Sequence, residues 1–178
     1  ELCRDIAQKF NNDFEVKDFF VVPDPLIQKQ FSRIMSLKDG LKKMSKSELS
    51  DLSRINLTDN KDSIINKIKK AKTDPMPLPS SIEELEKRPE AKNLLGIYSS
   101  LTNLPLEKIV QTFDGKNFSE FKEKMSEVLI EKIEPISNEI RKLIHDKTYL
   151  DKILSEGHQK ANDIASLKIK KLQEIVGF

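Results

Sequence analysis

Three observations predict a mainly α-helical chain that opens on a short α/β piece. Beyond Asp59 the apolar residues recur mostly at helical spacing, and prolines fall at helix starts or between helices. Before that point one aromatic and β-branched run, Phe19-Phe20-Val21-Val22, reads as a strand buried on both faces and closed by Pro23 and Pro25.

The elements follow in order. Leu2 to Phe10 reads as a helix already under way at Glu1, which suggests that the chain is a fragment. After the Phe19–Val22 strand, a second apolar piece, Ile34-Met35, leads into an Asp39-Gly40 turn. Two short strands make no stable sheet alone, so further strands are expected upstream of Glu1. Asp59 is placed to cap a helix from Lys61 to Ala71, whose lysines gather at the end that the helix dipole makes favourable for cations. Pro75 to Ser81 reads as a linker, and Pro89 as the first residue of a helix carrying Leu94, Leu95, Ile97, Tyr98 and Leu101. A shorter helix runs from Pro105 to the Asp114-Gly115 stop. Phe121, Met125, Val128, Leu129, Ile136, Ile140, Leu143 and Ile144 form one long helical face, with a kink or break expected at Pro135. In the last helix, about Tyr149 to Val176, Gly157, Ala161 and Ala165 recur every four residues and predict the close approach of another helix.

Composition excludes several classes. With 31 basic and 29 acidic residues in 178, the net charge of +2 creates no global field for nucleic acid, so any such contact is local. Arg141, Lys142, Lys168, Lys170 and Lys171 are the candidates, each by default an ordinary surface residue. A single cysteine, Cys3, forms no internal disulfide, and no apolar run approaches the ~20 residues of a membrane span. The expected setting is soluble and cytoplasmic. The glycines are too scattered for a phosphate-binding fingerprint, and His145, His158 and Cys3 lack zinc spacing, so no metal ligands are assigned. No serine-centred nucleophile elbow is present.

What remains is Lys43-Met44-Ser45-Lys46-Ser47, two ammonium groups and two hydroxyls with no acid among them. Lysine is a compact charge on a flexible stem, suited to following a phosphate whose charge moves during a reaction. A plain lysine-serine turn on a non-catalytic α-helical module that binds RNA or protein is the alternative.

The pentapeptide resembles the KMSKS signature of class I aminoacyl-tRNA synthetases. Its flanks, Arg33 to Lys42, Ser53-Arg54-Ile55-Asn56-Leu57 and Arg88-Pro89-Glu90-Ala91-Lys92-Asn93-Leu94, resemble bacterial-type tryptophanyl-tRNA synthetases along the whole chain. The resemblance implies that residues 1–50 are the C-terminal remnant of a Rossmann-like catalytic domain, and residues 51–178 an α-helical anticodon-recognition domain. It implies ATP and Mg2+ as cofactors, L-tryptophan and the tryptophan tRNA as partners, and a homodimer. Carried over by position, Lys43, Met44, Ser45, Lys46 and Ser47 match the ATP loop, Ile34 a residue beside adenine, and Lys43 and Lys46 the catalytic cations. The family's HIGH-type motif, amino-acid pocket and second ATP motif would then lie before Glu1, leaving the isolated chain inactive. One departure stands out: the family commonly follows KMSKS with Asp-Pro, whereas Glu48-Leu49 follows here, and the fixed φ of proline is lost.

Overall fold

A computed structural model describes residues 1–26 and 32–178. It is mainly helical with one small antiparallel sheet, and it divides into two units, Glu1–Gln28 with Asp146–Phe178 and Lys29–His145.

In the first unit, helix α1 spans Leu2–Asp13 and α7 spans Lys147–Val176. The Phe19–Val22 run, read as a strand, is a bend at Phe19 and Phe20 followed by coil. Its hydrogen bonds are met by a side chain. Asn11 donates to the Phe20 carbonyl at 2.8 Å and accepts from the Phe20 N–H at 2.9 Å, which does locally what a neighbouring strand would do. The rings of Phe10, Phe14, Phe19 and Phe20 then stack at centroid distances of 4.7 to 5.4 Å. Val21 stays exposed and Phe19 and Phe20 are half-buried, so this run does not bury two strand faces. The Lys168 ammonium lies 4.0 Å from the Phe19 ring centre and donates to the Phe19 carbonyl. Helix α7 starts at Asp146, whose carboxylate accepts from the Tyr149 N–H at 3.0 Å. The Gly157, Ala161 and Ala165 stripe is exposed, and a Cβ on Gly157 would meet nothing within 4 Å, so the expected close helix packing is not made among the described residues.

The second unit begins with the hairpin of β1 (Met35–Ser36) and β2 (Asp39–Lys43), followed by a 3₁₀ turn at Asp51–Ser53. Helix α2 (Lys61–Lys69) is capped by Asn60, which accepts from the Ser63 N–H at 2.8 Å. The expected cap, Asp59, is buried and engaged elsewhere, by Lys67 at 2.6 Å. Pro75 to Ser81 is no linker: it lies inside the unit, with Leu78 buried and its N–H bonded to the Lys116 carbonyl at 2.8 Å. Helices α3 (Ile82–Glu86), α4 (Pro89–Thr102), α5 (Leu106–Phe113) and α6 (Phe118–His145) complete it. Ile64, Ile68, Leu85, Leu94, Leu95, Phe121 and Met125 form the centre of one core.

Of the kink or break expected at Pro135, the break does not occur: helix α6 continues through that residue. The ring removes one donor, and both Glu131 and Pro135 face solvent, where water can take the freed carbonyl. Its apolar face is not one buried stripe. Phe121, Met125 and Leu129 are buried, whereas Ile136 and Ile144 are exposed.

Candidate functional site

The lysine-serine loop leaves the end of β2 and is closed at its base by the residues around it. The Met44 N–H bonds to the Ile34 carbonyl at 3.0 Å, and the Met44 side chain packs against the core. The hairpin thus brings Ile34 beside the first turn of the Lys43–Ser47 segment. Ser45 organises the turn, its Oγ accepting from the Ser47 N–H at 3.2 Å and its carbonyl from the Glu48 N–H at 3.4 Å. Lys43, Lys46 and Ser47 are exposed, and among the described residues neither Lys43 nor Lys46 has an ion-pair partner.

Lys42 does have one. Its ammonium meets the Glu48 carboxylate at 2.6 Å, and this hydrogen bond, with the carboxylate charge, raises the lysine above its ordinary value of 10.5. The Glu48 carbonyl accepts from Arg54 at 2.9 Å. Residue 48 is therefore held by its amide, its carbonyl and its side chain together.

Arg54 is itself anchored. It meets Asp51 at 3.0 Å, and Asp51 meets Lys67 at 2.7 Å, so the chain of contacts ends on a buried lysine. Hydrogen bonds from Lys67 and Asn56 hold the Asp51 carboxyl below its ordinary value of 3.8.

The hairpin is seated on its surroundings through backbone groups. Asn93 of α4 accepts from the Met35 N–H at 2.9 Å and donates to the Met35 carbonyl at 2.8 Å. The Leu37 N–H bonds to the Ser53 carbonyl at 2.9 Å, and the Leu37 carbonyl accepts from the Lys72 N–H at 2.7 Å. Sequence reading marked Glu48 as a departure but missed its partners, and missed Lys42, Arg54, Asp51, Lys67 and Asn93, whose roles depend on contacts that spacing does not announce. Of the expected RNA contacts, Arg141 bonds to Asn138 and Lys142 to Glu139, both within their own helix, and Lys168 is occupied by Phe19. Lys170 and Lys171 are exposed.

The arrangement presents two cations and two hydroxyls on a braced turn, groups that can bond to anionic oxygens. It contains no acid–base pair for proton transfer. Residues 1–134 match the family model described as tRNA synthetases class I (W and Y). The chain belongs to this family.

Over all 178 residues the chain is 48% identical to a tryptophan–tRNA ligase of Caulobacter vibrioides and, equally, to one of Rickettsia felis. These alignments cover 100% of the chain but 52% and 53% of the two relatives, so it spans about half the length of the class I synthetases it matches. A crystal structure of tryptophanyl-tRNA synthetase from Mycoplasma pneumoniae shares the fold, with a TM-score of 0.82 at 24% identity, over 98% of this chain and 51% of that one. The Campylobacter jejuni enzyme complexed with ADP and tryptophane also shares it, with a TM-score of 0.66 at 23% identity over 98% of this chain and 52% of that one.

Proposed function

We propose that this chain is part of an enzyme that activates tryptophan with ATP and passes it to the tryptophan tRNA, and that Lys43–Ser47 is its phosphate loop. The observation that carries this reading is the exposure of Lys43 and Lys46, unpaired among the described residues, on a turn whose flanking charges are neutralised. Family membership supports it.

The chemistry asks little covalent work of the protein. The tryptophan carboxylate attacks the α-phosphorus of ATP, the bond from that phosphorus to the bridging oxygen breaks, and pyrophosphate leaves with the electron pair. Lys46 takes the chief role of neutralising the leaving group and Lys43 assists, while Ser45 and Ser47 donate to remaining oxygens. Ile34, tied through its carbonyl to Met44, is proposed to pack beside the adenine.

Mg2+ does not fit these residues. The loop offers cations and hydroxyls, and the nearby Glu48 carboxylate is taken by Lys42. The ion would travel with the nucleotide phosphates.

In the same reading, residues 1–50 belong to the catalytic part and residues 51–178 read the tRNA anticodon. This division concerns ligands and need not follow the division by packing. The intact protein is proposed to be a cytoplasmic homodimer. Among the described residues no helix is long and apolar enough to cross a membrane.

The test uses the full-length protein and pyrophosphate exchange into ATP at saturating tryptophan. Lys46→Ala should slow exchange by ~10²-fold or more, the scale of losing one transition-state donor, with tryptophan affinity little changed. An unchanged rate would remove Lys46 from this role, and binding of RNA without any exchange would favour the non-catalytic module.

A further inference from the structure

We propose that Arg54 is a positioning residue for the Lys43–Ser47 loop, setting the loop's exit through the Glu48 carbonyl. The inference rests on the phosphate reading of that loop. Its basis is the way the guanidinium fork is used. One nitrogen donates to the Glu48 carbonyl at 2.9 Å, Nε donates to Asn56 Oδ1 at 3.2 Å, and the remaining nitrogen pairs with Asp51 at 3.0 Å.

Each of those partners is held in turn. The Asn56 side chain donates to Asp51 at 2.9 Å, and its backbone N–H donates to Asp59 at 2.8 Å. Lys67, 3% exposed, joins Asp51 at 2.7 Å to Asp59 at 2.6 Å. The fork therefore pairs with an exposed carboxylate, Asp51, that is itself tied to buried Lys67 and Asp59, and it has little freedom to swing. Its aim is fixed on one backbone oxygen.

That oxygen lies at a telling place. Glu48 is the first residue past the loop, and its N–H already returns to the Ser45 carbonyl. With the carbonyl also fixed, the turn between Ser45 and Glu48 has a set end, and the direction in which Lys46 projects is set with it. A loop ordered beforehand loses less entropy when phosphate arrives. Arg54 bonds to no atom of Lys43–Ser47 among the described contacts, so it acts on the nucleotide only through Glu48.

The experiment uses the full-length protein and two readouts, the KM for ATP in pyrophosphate exchange and amide hydrogen exchange of residues 44–49. Arg54→Met should raise the KM for ATP about tenfold, the worth of one charge-assisted hydrogen bond, and speed loop exchange while leaving α4 protected. Arg54→Lys should not rescue it, because a point charge restores the sign but not the fork. Full rescue by lysine would overturn the proposal. So would an Arg54→Met enzyme with unchanged KM and loop exchange beside a Lys46→Ala enzyme that is impaired. If Lys46→Ala is also unimpaired, the phosphate reading fails and the proposal fails with it. Should Arg54→Met unfold, seen as fast exchange throughout α2, Asn56→Ala takes its place with an expected KM rise of about threefold, since it frees Nε and loosens Asp51 but leaves the donor to the Glu48 carbonyl; an unchanged KM there would overturn the proposal.

Discussion

The backbone of Pro89 occupies the space that any side chain on Gly40 would need. A Cβ at position 40 would lie 2.6 Å from the Pro89 carbonyl carbon and 2.7 Å from the Glu90 nitrogen. The obstacle is main chain at the first turn of α4, which cannot rotate out of the way. Gly40→Ala should destabilise the protein by about 1–3 kcal/mol, the range for overpacking a close contact. Urea unfolding would measure it. An unchanged midpoint would mean that the hairpin can lift off α4 at no cost.

Asn93 replaces a strand partner for Met35. With both the Met35 N–H and carbonyl satisfied by one amide, Asn93→Leu keeps the volume and leaves two backbone groups without partners. The expected loss is about 2 kcal/mol. Faster hydrogen exchange at the Met35 amide, with the amides of α5 unaffected, is the accompanying signature.

Lys67 neutralises two carboxylates beneath the 3₁₀ turn, one of them, Asp59, buried. Lys67→Met leaves that carboxylate without its countercharge, and should cost about 3–5 kcal/mol. Adding Asp59→Asn should recover part of the loss, because the stranded charge is gone. A double-mutant cycle that shows simple additivity would contradict the pairing.

Acid should weaken the second unit through two carboxyls. Hydrogen bonds from Lys67 and Asn56 lower Asp51. Burial pushes Asp74 up, but hydrogen bonds from Arg88 and the Met76 N–H, with the Arg88 charge, outweigh it and leave it lowered as well. A carboxyl lowered by folding contributes stability that is present above its ordinary value of 3.8 and lost as pH falls through the folded value. Urea midpoints should be flat above about pH 5 and fall below it. In Asp74→Asn the acid fall should be shallower, and an identical fall would exclude Asp74 as a contributor.

Helices were legible where periodicity and punctuation agreed. Pro89 opens α4, Gly115 follows the end of α5, and α1 appears where Leu2 to Phe10 predicts it. The failures share a cause. Phe19–Val22 has strand composition, but a single Asn11 amide takes its hydrogen bonds, and no local pattern reveals an amide nine residues away. Asp59 has the right chemistry to cap α2 and is claimed by Lys67 instead, while the neighbouring Asn60 takes the cap. The loop could be singled out from its residue types alone, and the structure places Lys43, Lys46 and Ser47 on an exposed turn. The brace was not, because Glu48, Arg54 and Asp51 serve the loop through a carbonyl and a relay of charges.

The two units differ in how they can be assembled during synthesis. Lys29–His145 is one continuous stretch, complete before any of α7 has been made, and can condense while the ribosome is still at work. The other unit joins segments from far apart, and Lys168 reaches Phe19 across 149 positions. The rings of Phe10, Phe14, Phe19 and Phe20 can gather locally at once, but their cation is synthesised only 149 positions after Phe19. A stall or a nick within α7 before Lys168 would therefore spare the scaffold of the Lys43–Ser47 loop and leave the rings of Phe19 and Phe20 without their cation.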